Sequence, residues 1–172
     1  MHSNPLSTID LLVLDVDGVL TDGTIELSGN GTETKRFHLQ DGHGIKLWQR
    51  TGGIVALISG RASAPTQRRA EQLEIEYVFE DCLQKLPVLK QLAADLKRQP
   101  EQIAYIGDDL LDLPPVRWAG FGIAVANAVN ELKAQADYVT RRSGGAGAVR
   151  EAVEIILKGS GRWANVMQRY HA

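Results

Sequence analysis

The chain has 172 residues, of which 44% are hydrophobic and 23% charged, and its net charge at pH 7 is −2. This length and composition are typical of one globular domain with one hydrophobic core. The small net charge argues against a nucleic-acid partner or an anionic membrane surface. No apolar run reaches the roughly 18 residues of a membrane-spanning helix, and residues 1–5 lack the features of a secretory signal. Since Cys82 is the single cysteine, we expect a cytoplasmic protein without an internal disulfide.

A short apolar segment, Ile9 to Leu14, leads directly into two carboxylates, Asp15 and Asp17, which are followed by Gly18. This pattern predicts a buried strand with acidic side chains just beyond its carboxyl end, which is where ligands bind in parallel α/β sheets. Carboxylates this close repel each other, so they need a cation or a chemical role. The alternative is an ordinary acidic turn, because Asp and Gly are common turn residues.

Residues 24–39 alternate between apolar and polar side chains around Ser28-Gly29-Asn30-Gly31. This pattern predicts a β-hairpin with an Asn-Gly turn. Because the hairpin follows the acidic pair directly, we expect it to lie over that site as a flap. The alternative is a surface hairpin without a function.

The rest of the chain alternates between apolar runs, which predict buried strands, and helical apolar spacing. We interpret Asp41-Gly42-His43-Gly44 as a break before a helix, and the tail, residues 158–172, as too apolar to be disordered, with Trp163 as a packing anchor. The alternation favours an α/β fold, a doubly wound parallel sheet with helices on both faces, in a single domain over residues 1–172. The predicted strands are 54–58, 77–79, 103–106, 121–125 and 138–140, and the predicted helices are 45–51, 64–73, 83–96, 128–134 and 148–157.

Further polar groups follow later strands of the predicted sheet. Ser59-Gly60-Arg61 offers a hydroxyl, a backbone N–H and a guanidinium, which suit an anion. Lys85 opposes the dipole at the start of its helix, so it calls for an anionic partner. Asp108 and Asp109 form a second acidic pair beyond a buried strand. Since the carboxyl ends of the strands converge on one crevice, we expect these groups to lie together.

Such a set suits Mg²⁺-dependent phosphoryl transfer. Mg²⁺ prefers oxygen ligands, while a hydroxyl and an ammonium beside it suit a phosphate dianion. An Asp carboxylate can act as the nucleophile and form an aspartyl-phosphate. A second carboxyl, two residues further on, can protonate the leaving oxygen and later activate water.

The four motifs, in this order, resemble those of the haloacid dehalogenase-like phosphatase superfamily. The chain is similar in particular to its cap-less branch, typified by 3-deoxy-D-manno-octulosonate 8-phosphate (KDO 8-phosphate) phosphatase. The resemblance extends from about Ile9 to Gly161, and it is carried by residues 15–23, 35–47, 68–73, 104–114 and 136–151. It implies hydrolysis of a phosphorylated sugar acid during lipopolysaccharide synthesis.

The resemblance also implies a role for each acidic residue. Asp15 would be the nucleophile and Asp17 the general acid and base. Mg²⁺ would be held by the Asp15 carboxylate, the Asp17 backbone carbonyl and Asp108. Asp109 would be a metal partner at longer range or through water, and Asp112 would lie further out with a structural role.

For the phosphate, the resemblance implies contacts from Ser59 and Gly60 and charge neutralisation by Lys85. Arg61 is the main candidate for the substrate carboxylate, because a guanidinium binds a carboxylate with two hydrogen bonds. In the similar phosphatase for a nine-carbon sugar acid this position is typically Glu, so Arg61 favours the eight-carbon substrate. Secondary candidates are Lys35, Arg36, Arg68, Arg69 and Gly144-Gly145. The chain departs from the expected pattern at Glu80-Asp81-Cys82 and Gln84, which leaves the substrate less defined than the chemistry.

No insertion large enough for a cap domain separates the motifs, so the crevice would be open to water. The resemblance implies a homotetramer in which the hairpins associate and a neighbouring subunit completes each site. Other interpretations are a phosphatase for the nine-carbon substrate or for many small phosphates, a non-catalytic oligomerisation or regulatory domain, and a nucleotide switch. The regulatory domain would have lost Asp15 or Asp108, and the switch would need a glycine-rich phosphate loop.

Overall fold

A six-stranded parallel sheet forms the centre of the structure, a computed structural model that describes residues 5–171. Residues 1–4, within the segment where we expect no secretory signal, lie outside the described part, as does residue 172. The strands are β1 (Leu11–Leu14), β2 (Glu26–Leu27), β3 (Glu33–Thr34), β4 (Ile54–Ile58), β5 (Tyr77–Phe79), β6 (Ile103–Gly107), β7 (Phe121–Ala124) and β8 (Tyr138–Val139). The spatial order in the main sheet is β5-β4-β1-β6-β7-β8, and β2 and β3 form a separate antiparallel hairpin.

Helices cover both faces of this sheet, and the predicted doubly wound α/β fold is confirmed. Their bounds are α1 (Leu39–Arg50), α2 (Ala64–Gln72), α3 (Lys85–Asp95), α4 (Leu113–Trp118), α5 (Asn130–Lys133), α6 (Ala148–Gly159) and α7 (Trp163–Gln168). Short 3₁₀ turns lie at Pro5–Ser7, Pro100–Gln102 and Leu110–Asp112. Among residues 5–171, no helix has the length and apolar character needed to cross a membrane.

The central strands form where the sequence is continuously apolar. All residues of β1 and β6 are buried, as expected for strands covered by helices on both faces. β1 lies in the middle of the sheet, with Leu14 opposite Leu57 of β4 and Ile106 of β6. The segment after β1 therefore emerges between the ends of two neighbouring strands.

The predicted hairpin is present between residues 24 and 39, with its turn at Ser28 to Thr32. The Gly31 N–H donates to the Ser28 carbonyl, and Gly31 has a φ of +82°, a left-handed conformation that favours glycine. The Asn30 carboxamide oxygen accepts from the Thr32 N–H. The local turn chemistry of the Asn-Gly sequence thus fixes the hairpin.

Helix α1 begins at Leu39, six residues earlier than predicted, so the interpretation of residues 41–44 as a break was wrong. Asp41 is buried and its carboxylate accepts from the Gly147 and Arg150 N–H groups at the start of α6. A Cβ on Gly44 would lie 3.0 Å from the Arg150 Cα, so glycine lets the two helices approach closely. This packing outweighs the low helix propensity of glycine.

The tail packs on the main core, as predicted. Helix α7 buries Val166, and Trp163 packs against the core beneath Lys158. Just before α7, the Arg162 guanidinium lies over the Trp48 ring and donates to the Ile9 carbonyl. These contacts hold the tail near the amino end of β1, away from the acidic motif.

Candidate active site

The sheet register brings three of the predicted site segments together. Because Leu14 lies opposite both Leu57 and Ile106, Asp15, Ser59 and Asp108 follow three adjacent strands at the same edge. The Asp15 N–H donates to the Ile106 carbonyl and extends the pairing by one residue. The predicted convergence of these strand ends is therefore observed.

Lys85, the first residue of α3, provides the positive charge of the site. Its ammonium is buried and lies 2.7 Å from Asp15 Oδ1 and 2.6 Å from Asp112 Oδ1. Burial alone would lower the pKa of Lys85, but the two carboxylates outweigh it and raise the pKa above its ordinary value. The anionic partner that the placement of Lys85 called for is thus supplied by the protein itself.

Asp112 organises the floor of the site, although the sequence suggested only a distant structural role. It is fully buried, and its Oδ1 also accepts from the Tyr105 hydroxyl at 2.7 Å. Its Oδ2 accepts from the Asp108 N–H at 3.0 Å and the Asp109 N–H at 3.3 Å. Both oxygens are therefore occupied by protein donors, which fits a role in orienting Lys85 and the loop after β6.

Tyr105 was missed by the sequence reasoning. Its signal was a single hydroxyl in the otherwise aliphatic strand β6. Burial, together with the neighbouring Asp112 and Asp15, raises the pKa of Tyr105 well above its usual range, so it stays a hydrogen-bond donor.

Asp15 and Asp108 provide the oxygens best placed for a cation. One carboxylate oxygen each from Asp15, Asp108 and Asp112 lie within 4.8 Å of one another. Burial, and then the Asp112 charge, raise the pKa of Asp15 well above its usual range and that of Asp108 to about 6. Lys85 offsets only part of this repulsion, so the cluster carries an excess of negative charge that a divalent cation would balance. Hard carboxylate oxygens fit Mg²⁺.

Asp109, a predicted metal partner, does not belong to this group of three. Asp109 is an exposed residue at the start of the 3₁₀ turn, and its carboxylate accepts from the Leu110 N–H at 2.7 Å. The structure therefore places Asp109 as the cap of that turn.

Close backbone packing surrounds the acidic loop and Asp108. Gly18 has a φ of +91°, and a Cβ there would lie 1.9 Å from Asp108 Oδ2. A Cβ on Gly144 would lie 1.7 Å from the Gly18 carbonyl oxygen, and the Gly145 N–H donates to the Val19 carbonyl. Gly144-Gly145, predicted as a secondary substrate contact, instead supports the back of the acidic loop.

The loop after β4 holds Ser59 in a fixed position. Ser59 is buried, its N–H donates to the Phe79 carbonyl, and its Oγ accepts from the Arg61 N–H at 3.2 Å. Gly60 faces Leu111 of the loop after β6, so the two loops meet above β1. This arrangement suits the predicted binding of a phosphate by Ser59 and Gly60.

Asp17 is bound by Lys35, which follows β3 of the hairpin. The Lys35 ammonium lies 2.8 Å from Asp17 Oδ1 and 3.1 Å from Oδ2, and also contacts Thr66 and Glu33. The Lys35 side chain has no exposed surface. The other oxygen of Glu33 pairs with the Arg61 guanidinium at 2.8 Å.

The remaining predicted cationic contacts lie in different settings. The Arg69 guanidinium stacks over the Phe37 ring, and burial lowers the pKa of Arg69. Arg36 is exposed beside Asp22, and Arg68 is exposed on α2. None of these settings by itself identifies a substrate contact.

A mostly apolar cavity lies beside Lys85. Its volume is about 330 Å³, and it is lined by residues of the α3 start and the loop after β6, including Leu83, Leu110 and Pro114. Leu83 is 70% exposed and Leu110 is 56% exposed. Apolar side chains therefore lie exposed next to the polar crevice.

Comparison with known proteins gives the same assignment as the geometry. Residues 78–152 match the haloacid dehalogenase-like hydrolase family. The KDO 8-phosphate phosphatase of Yersinia pestis is 44% identical over 88% of this chain and 81% of its own length.

Solved structures extend this similarity to the whole fold. The crystal structure of the Moraxella catarrhalis KDO 8-phosphate phosphatase with magnesium, phosphate and KDO is 43% identical, with a TM-score of 0.94 over 96% of this chain and 95% of that one. The cobalt-bound Haemophilus influenzae enzyme is 40% identical, with a TM-score of 0.88 over 91% of this chain and 92% of that one. With identity this high over nearly its whole length, the chain belongs to the KDO 8-phosphate phosphatase family of haloacid dehalogenase-like hydrolases.

Proposed function

We propose that this chain hydrolyses KDO 8-phosphate to KDO and inorganic phosphate, with Mg²⁺ as cofactor, in lipopolysaccharide synthesis. The observation that carries the proposal is the contact of Asp15 with Lys85 and its place beside Asp108, at the ends of adjacent strands. The relatives named for this activity support the choice of substrate. The arrangement of these groups supports the chemistry.

Asp15 is the proposed nucleophile. One of its oxygens forms a bond to phosphorus while the bond from phosphorus to the sugar oxygen breaks, which gives an aspartyl-phosphate and an alkoxide. The Lys85 ammonium, 2.7 Å from Asp15, favours the ionised carboxylate that this attack requires. Ser59 and Gly60 hold the phosphate oxygens from the neighbouring loop.

Asp17 is the proposed general acid and base. It gives its proton to the departing sugar oxygen, and the resulting carboxylate then takes a proton from the water that attacks the aspartyl-phosphate. Its side chain is 21% exposed, so both the leaving group and water can reach it. Phosphate leaves, and Asp15 and Asp17 return to their starting states.

We further propose that the Asp15 and Asp108 carboxylates and the Asp17 backbone carbonyl hold Mg²⁺. When bound, the ion would neutralise charge on the phosphate and on Asp15. The raised pKa values of Asp15 and Asp108 without a cation support this assignment. Asp109 would act at longer range or through water.

Arg61 is the proposed contact for the substrate carboxylate. Its guanidinium is 43% exposed and is held by Glu33, so it is both accessible and oriented. Arg69 is a secondary candidate. A nine-carbon sugar acid phosphate, or a broad range of small phosphates, is the alternative substrate class.

We propose a homotetramer in which the hairpins associate and a neighbouring subunit completes each crevice. Exposed apolar side chains support it, because Leu27 on the hairpin is 69% exposed and Leu39 is 82% exposed. The exposed Leu83 and Leu110 at the crevice would meet the neighbour. We also propose a single domain over residues 1–172, since the described elements pack on one sheet, and a cytoplasmic location, which the free thiol of Cys82 fits.

The proposed function is tested by phosphate release from KDO 8-phosphate, mannose 6-phosphate and the nine-carbon sugar acid phosphate, with Mg²⁺ or with EDTA. We expect Mg²⁺-dependent turnover with a strong preference for KDO 8-phosphate. Weak and equal rates on all three would contradict the proposed substrate. A rate that EDTA leaves unchanged would contradict the proposed metal.

A further inference from the structure

The contact between Lys35 and Asp17 joins the hairpin to the proposed acid and base. Lys35 immediately follows β3, whereas Asp17 follows β1 in the main sheet. Lys35 was predicted as a substrate contact, but its side chain has no exposed surface while that of Asp17 is 21% exposed. Lys35 therefore lies behind Asp17, where a substrate does not reach.

The Lys35 ammonium donates hydrogen bonds to Asp17 Oδ2 and Thr66 Oγ1, and it also lies within ion-pair distance of Asp17 Oδ1 and Glu33 Oε1. Both oxygens of Asp17 lie within 3.1 Å, Thr66 Oγ1 lies at 3.2 Å, and Glu33 Oε1 lies at 3.5 Å. Thr66 is in turn held by the Ser63 hydroxyl at 2.8 Å. Contacts to three residues restrain the position of this buried ammonium, so the Asp17 carboxylate that it contacts is restrained with it.

Charge balance in this group extends to the phosphate loop. Lys35 and Arg61 are positive, Asp17 and Glu33 are negative, and Glu33 contacts both cations. Glu33 thus shares the charge of Lys35, so the ammonium is not matched to Asp17 alone. The Lys35 and Glu33 side chains thus connect the hairpin to Asp17 and to Arg61, the proposed sugar contact.

We propose that Lys35, supported by Glu33, is a positioning residue that orients the Asp17 carboxyl toward the leaving oxygen of the substrate. The proposal rests on the proposed phosphatase chemistry. Lys35 touches neither phosphate nor sugar, and its effect on the reaction passes through Asp17. Substitution of Lys35 should therefore slow the reaction most for leaving groups that need the proton from Asp17.

Two substrates with different leaving groups separate this role from a general structural one. An alkoxide leaving group, as in KDO 8-phosphate or mannose 6-phosphate, needs protonation, whereas nitrophenolate from p-nitrophenyl phosphate leaves without it. The measurement is kcat/KM for a sugar phosphate and for p-nitrophenyl phosphate, because this constant reports steps up to departure of the leaving group and excludes hydrolysis of the aspartyl-phosphate.

We expect Lys35→Met to lower kcat/KM for the sugar phosphate by roughly 10²-fold, within the range of general acid catalysis, and that for p-nitrophenyl phosphate by much less. Asp17→Asn should show the same selective loss, and the double variant should lose no more than Asp17→Asn alone. Glu33→Gln, which keeps the shape of the side chain, serves if Lys35→Met does not fold. It is assayed with mannose 6-phosphate, which has no carboxylate for Arg61 to bind, and it should lower kcat/KM for this sugar phosphate relative to p-nitrophenyl phosphate by a smaller factor than Lys35→Met does. The matched control is Lys46→Met, which removes an ion pair with Glu74 outside the site.

Equal losses on both substrates in Lys35→Met and Glu33→Gln would overturn the positioning role, as would additive losses in the double variant. These results are distinguishable from failure of the proposed function. A wild-type chain inactive on every phosphate would overturn the function and the role of Lys35 together. An active wild type with equal losses in the variants would overturn only the role of Lys35.

Discussion

The Lys85 ammonium lies 2.6 Å from Asp112, a fully buried carboxylate that no part of the proposed substrate needs to reach. Asp112 and Asp15 share this ammonium, so the proposed nucleophile is positioned by the same contacts that stabilise the floor of the site. The Tyr105 hydroxyl adds a further donor to Asp112. Asp112 therefore contributes both to the stability of the fold and to the position of the proposed nucleophile.

The first prediction is that Asp112→Leu destabilises the fold. The change removes the acceptor of the buried Lys85 ammonium and Tyr105 hydroxyl and of two part-buried backbone N–H groups. Loss of one member of a buried ion pair costs roughly 3–5 kcal/mol in unfolding free energy. Urea unfolding measures it, with Asp95→Asn on the exposed face of α3 as the control. A loss below 1 kcal/mol would show that the contacts around Asp112 are replaceable.

A second prediction concerns Asp15→Asn. Removal of the nucleophile should lower kcat by roughly 10⁴-fold or more, on the scale found for other covalent catalysts. The fold should persist, because the amide oxygen can still accept from Lys85 and the repulsion from Asp112 and Asp108 disappears. Turnover is measured by phosphate release, and the melting temperature by circular dichroism. Retained activity with an intact fold would exclude Asp15 as the nucleophile.

The strand ends of the fold were predictable because each depends on a short local pattern. The apolar runs before Asp15, Ser59 and Asp108 are long enough to define buried strands, and a parallel sheet aligns their ends. The Asn-Gly hairpin likewise depends on four consecutive residues. The sequence therefore contained most of the site.

Contacts between distant segments were not predictable in this way. The start of α1 was missed because Gly44 looked like a helix break. Its glycine is instead required by the close approach of Arg150, more than 100 residues later in the chain. The setting of Lys35 depends on how the hairpin packs on β1 and α2, which alternation does not specify. Asp112 was underestimated because its partners Lys85 and Tyr105 come from two other elements.

A third prediction tests the close packing at Gly18. A Cβ there would lie 1.9 Å from Asp108 Oδ2, and the positive φ of Gly18 adds strain. Gly18→Ala should displace Asp108. The Mg²⁺ concentration needed for activation should then rise by roughly tenfold or more. Gly29→Ala is the control, since nothing lies within 4 Å of the added Cβ. An unchanged Mg²⁺ requirement in Gly18→Ala would show that Asp108 does not hold the ion.

The fourth prediction concerns the proposed tetramer. Leu27 is 69% exposed on β2, so Leu27→Glu should leave the folded monomer intact while it disrupts association of the hairpins. Light scattering should show a smaller species, with lower kcat/KM for KDO 8-phosphate. Glu26→Gln, on the same strand, is the control. A Leu27→Glu variant that remains tetrameric would place the interface elsewhere, and a fully active monomer would contradict a shared site.

The fifth prediction concerns how stability depends on pH through the carboxylates of Asp15 and Asp108, the proposed ligands of the cation. The pKa of Asp108 in the folded protein is about 6 against an ordinary value of 3.8, so the folded state binds more protons between these pH values. Without metal, this carboxyl therefore lowers the unfolding free energy as pH rises from about 4 to above 6, by up to about 3 kcal/mol in total. Burial raises the pKa of Asp15 in the same direction.

Bound Mg²⁺ should cancel this penalty, so the rise in Tm on adding Mg²⁺ should be larger at pH 8 than at pH 5, where protons compete with the ion. Asp108→Asn removes the titrating charge and a proposed ligand. It should raise the Tm of the metal-free protein at pH 8 and abolish the Mg²⁺-induced rise at both pH values. Differential scanning fluorimetry with EDTA or Mg²⁺ measures both effects, and Asp109→Asn is the comparison. An Asp108→Asn variant that Mg²⁺ still stabilises as strongly as the wild type would exclude Asp108 from the ion site.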